Sequence, residues 1–177
     1  MYKRQVDNGF VPEGSPLEGY EASRKAGAWS LERVFELANL ASGRNPENLS
    51  KLTAALGDPS DPIRWWGAQG CTILGAKAAP AAEALKKCLE DSSGAVQVAA
   101  AEALTRQGKA DAALPVLEKW LGNTDNPWFS LQAANVLDRL GELARPALPA
   151  MRKAQTAGYL QRIMEHAVHV LEQKKSD

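Results

Sequence analysis

One pattern occurs three times in this chain, and successive copies stand 33 residues apart. Each copy opens on a bulky apolar residue and closes on a glycine, so that the closing glycines fall at Gly75, Gly108 and Gly141. A unit of this length cannot bury an apolar face by itself and acquires a core only by stacking on its neighbours. The period therefore predicts an all-α solenoid of stacked helical hairpins.

Charge and hydropathy argue against two classes of partner. Twenty-one basic residues balance twenty-one acidic ones, so the chain has no global field that would attract nucleic acid or an anionic membrane. The sequence has no apolar run of the ~18 residues that span a bilayer, and no signal peptide opens it. We therefore expect neither nucleic acid nor a membrane as partner. Abundant Ala and Leu favour helix, in agreement with the repeat pattern.

The chain divides into a leader, a capping helix and a repeat domain. Residues 1–29 are rich in Gly, Pro, Glu and Ser without a sustained period and predict an extended leader, with 1–5 as a candidate non-native start. Residues 30–43 predict a helix that begins at the N-cap Ser30 and covers the first repeat. Residues 46–177 form the repeat domain, with units at 46–78, 79–109, 110–142 and 143–172. The last unit lacks the closing glycine and ends in a polar tail, as a terminal cap should.

Each unit contains two predicted helices, a first and a second. The first helices are predicted at 48–56, 80–89, 111–121 and 146–155, and the second at 62–74, 95–107, 127–140 and 159–171. The register predicts that Leu74, Leu104 and Leu137 are buried, and that Gly67 and Gly70 allow close packing between helices. These helices give about four hairpins.

The acidic turn, the aliphatic-x-x-x-Ala-Ala pattern and the Leu-Gly ending of these units resemble the HEAT repeat. Residues 125–149 resemble more narrowly the HEAT-type C-terminal extension of some bacterial formylglycine-dependent sulfatases. The resemblance implies a right-handed solenoid that binds protein. One position departs from the HEAT pattern, because the expected basic residue is present as Arg64 but replaced by Gln97 and Ser130. Any ladder of Asp and Arg pairs should therefore be incomplete.

The sequence predicts no catalytic residue, metal site or cofactor. The sulfatase resemblance implies a Cys/Ser-x-Pro-x-Arg motif, and neither Cys71 nor Cys88 has that context. Cys71 falls at a core position and predicts a buried thiol. His166 and His169 could share a metal ion by spacing but lack further ligands, so we interpret them as structural. We expect no enzyme activity from this chain alone.

Two hypotheses of function remain. The first is a noncatalytic interaction module, the C-terminal HEAT appendage of a sulfatase-like hydrolase whose catalytic domain is absent from the chain and serves as its partner. The alternative is a self-standing adaptor that binds another protein. Localisation follows from the choice: periplasmic or secreted for a sulfatase fragment, cytoplasmic for a complete adaptor.

Projection of the second helices at ~100° per residue places one ridge opposite the core, on the inner side of the stack. This inner ridge repeats an apolar residue at one outward position, which is typical of an interface. Contacts between repeats, or the leader, could instead cover it. The candidate partner-binding residues are Trp65, Trp66, Gln69, Val98, Glu102, Leu131 and Asn135, and the ridge also includes Thr72, Ala99, Thr105, Gln132 and Asp138.

Overall fold

A computed structural model describes residues 31–154 and 158–173 of the 177-residue chain. Every regular element within these ranges is helical, which confirms the all-α class. The predicted leader over 1–29, the first residue of the predicted capping helix and the end of the polar tail lie outside the described residues.

Nine α-helices and three short 3-10 helices follow one another in the described ranges. The α-helices are α1 Leu31–Ser42, α2 Leu49–Ala55, α3 Asp61–Leu74, α4 Ala82–Cys88, α5 Gly94–Arg106, α6 Ala110–Leu121, α7 Pro127–Leu140, α8 Leu148–Lys153 and α9 Tyr159–Gln173. The 3-10 helices are Pro46–Asn48, Gly75–Ala81 and Gly141–Ala147.

The helices form two layers. The odd-numbered helices stack in chain order, with α1 on α3, α3 on α5, α5 on α7 and α7 on α9. Each even-numbered helix packs against the odd-numbered helix that follows it, which gives four hairpins. Helix α1 lies mainly on α3 and also contacts α2.

The predicted helix bounds agree with the structure to within two residues, and two of the predicted starts are early for the same reason. The α-helices expected from Pro80 and Pro146 begin only at Ala82 and Leu148, and 3-10 helix precedes each of them. A proline has no N–H for the bond to the fourth preceding carbonyl. The tighter 3-10 winding therefore continues past each proline before α-helix begins.

The glycines that mark the period have a common backbone conformation. Gly75, Gly108 and Gly141 have φ values of 57°, 77° and 53°. Residues with a side chain rarely adopt a φ in this range, so a substitution at any of the three positions would strain the backbone. The second helix of each of the first three repeats therefore ends where the backbone reverses its twist, and this requirement explains the regular spacing.

The core runs continuously between the two layers. Leu104 and Leu137 are fully buried and Leu74 is 7% exposed, as the register predicts. Cys71 and Cys88 are buried free thiols, and burial raises the pKa of each to about 11. The predicted burial of Cys71 is therefore confirmed.

The position at which the repeats depart from the HEAT pattern holds Arg64, Gln97 and Ser130. Each of these side chains bonds a nearby turn or helix end. Arg64 pairs with Asp91 of the next repeat, at 2.6 Å from Nε and 2.8 Å from Nη2, and donates to two carbonyls of its own turn. Gln97 donates to the carbonyl of Asp91 (2.6 Å) and accepts from the indole of Trp120 (2.9 Å). Ser130 donates to the last carbonyl of α6 (2.9 Å). An Asp–Arg pair thus forms at one of the three positions.

Candidate functional site

A groove of about 210 Å³ crosses α3, α5 and α7 on the odd-numbered layer. Helix α3 forms one wall, α7 forms the other, and α5 lies between them as the floor. Five of the seven predicted partner-binding residues line this groove. The lining residues are Trp65, Gln69, Ala95, Val98, Ala99, Glu102, Gln132, Asn135, Val136 and Arg139.

Helix α5 is covered along almost its whole length, which corrects two predictions. Val98 and Glu102 are each only 2% exposed, although the projection placed them on an outward ridge. Ala99 and Thr105 of the same ridge are also buried. Helix α5 lies between two others and carries mostly small side chains, so larger side chains on α3 and α7 extend over it. Val98, Ala99 and Glu102 form the floor of the groove, and the partly exposed residues of α3 and α7 stand on its walls.

The two adjacent tryptophans have different positions. Their rings meet edge to face, with centroids 5.0 Å apart and an interplanar angle of 83°. Both are partly buried and pack against the core, but Trp65 lines the groove and Trp66 does not. Leu131 is likewise half-buried outside the lining. Contacts within the stack therefore cover part of the predicted ridge, and the accessible part is narrower than predicted.

A charged cluster closes one end of the groove. The Glu102 side chain, 3% exposed, lies 3.0 Å from Nη2 of Arg106 and 2.8 Å from Nη2 of Arg139. Arg106 is on the same helix, whereas Arg139 reaches across from α7. The Arg139 side chain remains 52% exposed. Two guanidinium groups thus pair with one buried carboxylate. Their attraction offsets the cost of burying its charge, and the cluster keeps one positive charge in excess.

Sequence reasoning missed Arg139, although a signal for it exists. Arg139 stands four residues after Asn135, one helical turn further along the same face. The predicted ridge included Asp138 instead. The Oδ1 atom of Asp138 lies 2.9 Å from Nδ1 of His166 on α9. Val136 and Ala95 were also missed, because they reach the groove only through the packing of α5 against its neighbours.

Three amide side chains line the walls of the groove. Asn135 donates through Nδ2 to the carbonyl of Leu131 at 2.8 Å, and its oxygen accepts from no other described residue. Gln69 on α3 and Gln132 on α7 are half-buried, and neither side chain is hydrogen-bonded to another described residue. An amide both donates and accepts, so these groups can pair with the backbone of a bound chain.

Metal-ligating residues do not gather in the described part of the chain. No group of three or more His, Cys, Asp and Glu residues within 31–154 and 158–173 could hold a metal ion. His169 bonds Gln173 at 2.8 Å and does not share a ligand site with His166. Among the same residues, no helix is both long and apolar enough to span a bilayer.

Comparison with known proteins identifies the repeat. The sequence profile of HEAT repeats matches residues 82–172, which span α4 to α9 and slightly more than half of the chain. No curated protein matches the chain in sequence. The 33-residue register, the two stacked layers and the profile match agree with one another. The chain belongs to the HEAT repeat family.

Proposed function

We propose that this chain is a noncatalytic protein-binding scaffold and that its partner lies in the groove across α3, α5 and α7. HEAT repeats generally mediate interactions between proteins. The observation that carries the proposal is the composition of the groove walls. Trp65 lines the groove together with the half-exposed Arg139 and with Gln69 and Gln132, whose amides bond no other described residue. Tryptophan and arginine are enriched among the residues that contribute most to binding at protein interfaces.

The size of the groove favours side chains of a protein over a small ligand. Small-molecule sites usually enclose ~300–1,000 Å³, whereas this groove has a volume of about 210 Å³. It is also not enclosed, because it lies at the surface across three successive helices of one layer. A segment of protein chain fits such a surface better than a cofactor does.

The chemistry of the two cysteines supports the absence of catalysis by this chain. A thiolate is the nucleophilic form of cysteine. Burial raises the pKa of Cys71 and of Cys88 to about 11, so both remain protonated at neutral pH. Cys88 also lies 3.6 Å from the carbonyl oxygen of Leu56, to which its thiol can donate. Both residues therefore serve as packing groups.

The finer proposal concerns the identity of the partner. Residues 125–149 resemble the HEAT-type extension of formylglycine-dependent sulfatases, and this resemblance supports a sulfatase-like catalytic domain joined to the repeats. The gene sequence upstream of the region that encodes this chain tests this proposal directly. An open frame upstream that encodes a Cys/Ser-x-Pro-x-Arg motif supports the appendage, whereas a native start codon supports the self-standing adaptor.

Site-specific photocrosslinking tests the groove itself. A photoreactive amino acid at Gln132 should form a discrete adduct when the protein is expressed in its own host. The matched control places the same group at Glu83 on α4, in the other layer, where the side chain is 81% exposed. Trp65→Ala should reduce the Gln132 adduct. Equal adducts at both positions, or an adduct that Trp65→Ala leaves unchanged, would show that the partner binds elsewhere.

A further inference from the structure

The charged cluster at the end of the groove, which consists of Glu102, Arg106 and Arg139, carries more positive than negative charge. Both oxygens of the Glu102 carboxylate are engaged: Oε1 by Arg106 at 3.0 Å and 3.2 Å, and Oε2 by Arg139 at 2.8 Å. Both oxygens are therefore paired, and the side chain is only 3% exposed. A positively charged side chain of a partner would gain little there, because the carboxylate is buried beneath two arginines and already receives their charge-assisted bonds.

The two arginines, in contrast, have donors to spare. A guanidinium carries five N–H donors. Arg139 uses Nε and Nη2 toward Glu102, and its Nη1 is bonded to no other described residue. Its side chain is half exposed, and that of Arg106 is 33% exposed. Asp138, the neighbour of Arg139 in sequence, is engaged by His166 and does not line the groove. The accessible charge at this end is positive.

Glu102 also fixes the position of that charge. An arginine on a helix surface normally samples many rotamers, and ordering it for a ligand costs free energy. Here Nε and Nη2 of the Arg139 guanidinium are held against Glu102 across the contact between α7 and α5, and the edge that carries Nη1 stays accessible. A guanidinium held in this way matches the geometry of a carboxylate, which it can bind through two parallel hydrogen bonds.

We propose that the groove binds an extended acidic peptide segment, with a Glu or Asp carboxylate on Arg139. The wall amides Gln69 and Gln132 hold the peptide backbone, and an apolar side chain of the same segment packs on Trp65. This assignment rests on the proposed function and names the chemistry of the partner. A neutral or basic segment could use the tryptophan and the amides, but it would leave the exposed guanidinium edge unpaired.

Selection from a random peptide library tests the proposal with the peptides themselves as probe. Immobilised full-length protein should enrich peptides in which Asp or Glu lies a few residues from an apolar residue. Arg139→Gln should weaken binding of the enriched peptides at least tenfold, about 1.4 kcal/mol. Arg139→Glu should no longer enrich acidic peptides.

The control variant is Arg152→Gln, because Arg152 is also an ion-paired surface arginine, with its side chain 56% exposed, and lies on α8 outside the groove. It should bind the enriched peptides as the natural protein does. Thermal unfolding of each variant verifies that it is folded at the assay temperature. Raising the salt concentration should weaken the natural protein more than Arg139→Gln.

The outcomes separate this inference from the proposed function. If Trp65→Ala weakens the selected peptides and Arg139→Gln does not, the groove binds protein but the acidic preference is refuted. Enrichment of peptides without net negative charge likewise refutes the acidic preference alone. If neither variant matters, or no peptide is enriched, both the acidic preference and the groove as binding surface are wrong.

Discussion

Replacing Gly67 by alanine should loosen the packing of α3 on α2. A Cβ at this position would lie 2.9 Å from the carbonyl oxygen of Leu52, 3.2 Å from the Cβ of Ala55 and 3.2 Å from the backbone nitrogen of Leu56. Two of these atoms are main-chain atoms of α2 or its C-cap, and the third is a Cβ fixed directly to the main chain. No side chain can rotate away to make room, so the two helices must move apart by a few tenths of an ångström.

Two effects of opposite sign determine the magnitude. An extra methyl group in a packed core costs about 1–3 kcal/mol. Alanine regains about 1 kcal/mol relative to glycine in the interior of a helix. Because the contact is with backbone, the cost should fall in the upper part of its range, and the net destabilisation should be about 1–2 kcal/mol. For a chain of this size that corresponds to a fall in Tm of roughly 2–8 °C.

The matched control is the same substitution at Gly122, the C-cap of α6. There φ is −83°, and the nearest atoms to an added Cβ are carbonyl oxygens at 3.6 Å and 4.0 Å. Gly122→Ala should leave stability unchanged or raise it by up to ~1 kcal/mol. Urea unfolding followed by circular dichroism measures both variants. A Gly67→Ala protein as stable as the natural one, beside a well-behaved Gly122→Ala, would refute the close approach of α3 and α2.

Three further predictions follow from burial. Leu137→Ala should cost about 2–5 kcal/mol in urea unfolding, because Leu137 is fully buried, whereas Leu143→Ala, at a residue 45% exposed, should cost far less; equal costs would contradict the register of the repeats. The thiols of Cys71 and Cys88 ionise in the unfolded chain near pH 9.0, but burial raises their pKa to about 11 in the fold. The contribution of the thiols to the free energy of unfolding is therefore complete below pH 9 and is lost as pH rises toward 11, by roughly 2–3 kcal/mol per thiol. A double Cys→Ala variant should lack this alkaline loss when Tm is measured over a series of pH values. Gln97→Leu should cost about 2–4 kcal/mol, because it leaves a turn carbonyl and an indole N–H without their partner; a smaller loss than for Leu143→Ala would show that these two bonds contribute nothing.

The sequence was sufficient for the features that depend on local chemistry. The closing glycines mark backbone positions with positive φ, and the apolar residues Leu104 and Leu137, which stand 33 residues apart, are buried. Both features depend on the chain within one repeat and its nearest neighbour. Helix bounds followed from the same signals and deviated where a proline prolonged the 3-10 winding.

The candidate site was predictable only in part, because exposure depends on how large the neighbouring side chains are. Trp65, Gln69 and Asn135 line the groove as expected. Val98 has the same register position as Trp65 but is buried, since its own helix is the middle one of three. The pairing of Arg139 with the buried carboxylate of α5 depends on the relative rotation of two helices, which a one-dimensional period does not contain.

The hydrogen bonds at Arg64, Gln97 and Ser130 constrain how an array like this can change by duplication. Arg64 needs an aspartate in the following unit, and Gln97 needs an indole there. A second copy of the middle repeat inserted after the first would place Cys88, which has no indole, where Gln97 now meets Trp120. The units are therefore not interchangeable modules: each is matched to its successor, and gain or loss of a whole repeat demands compensating changes at the new junction.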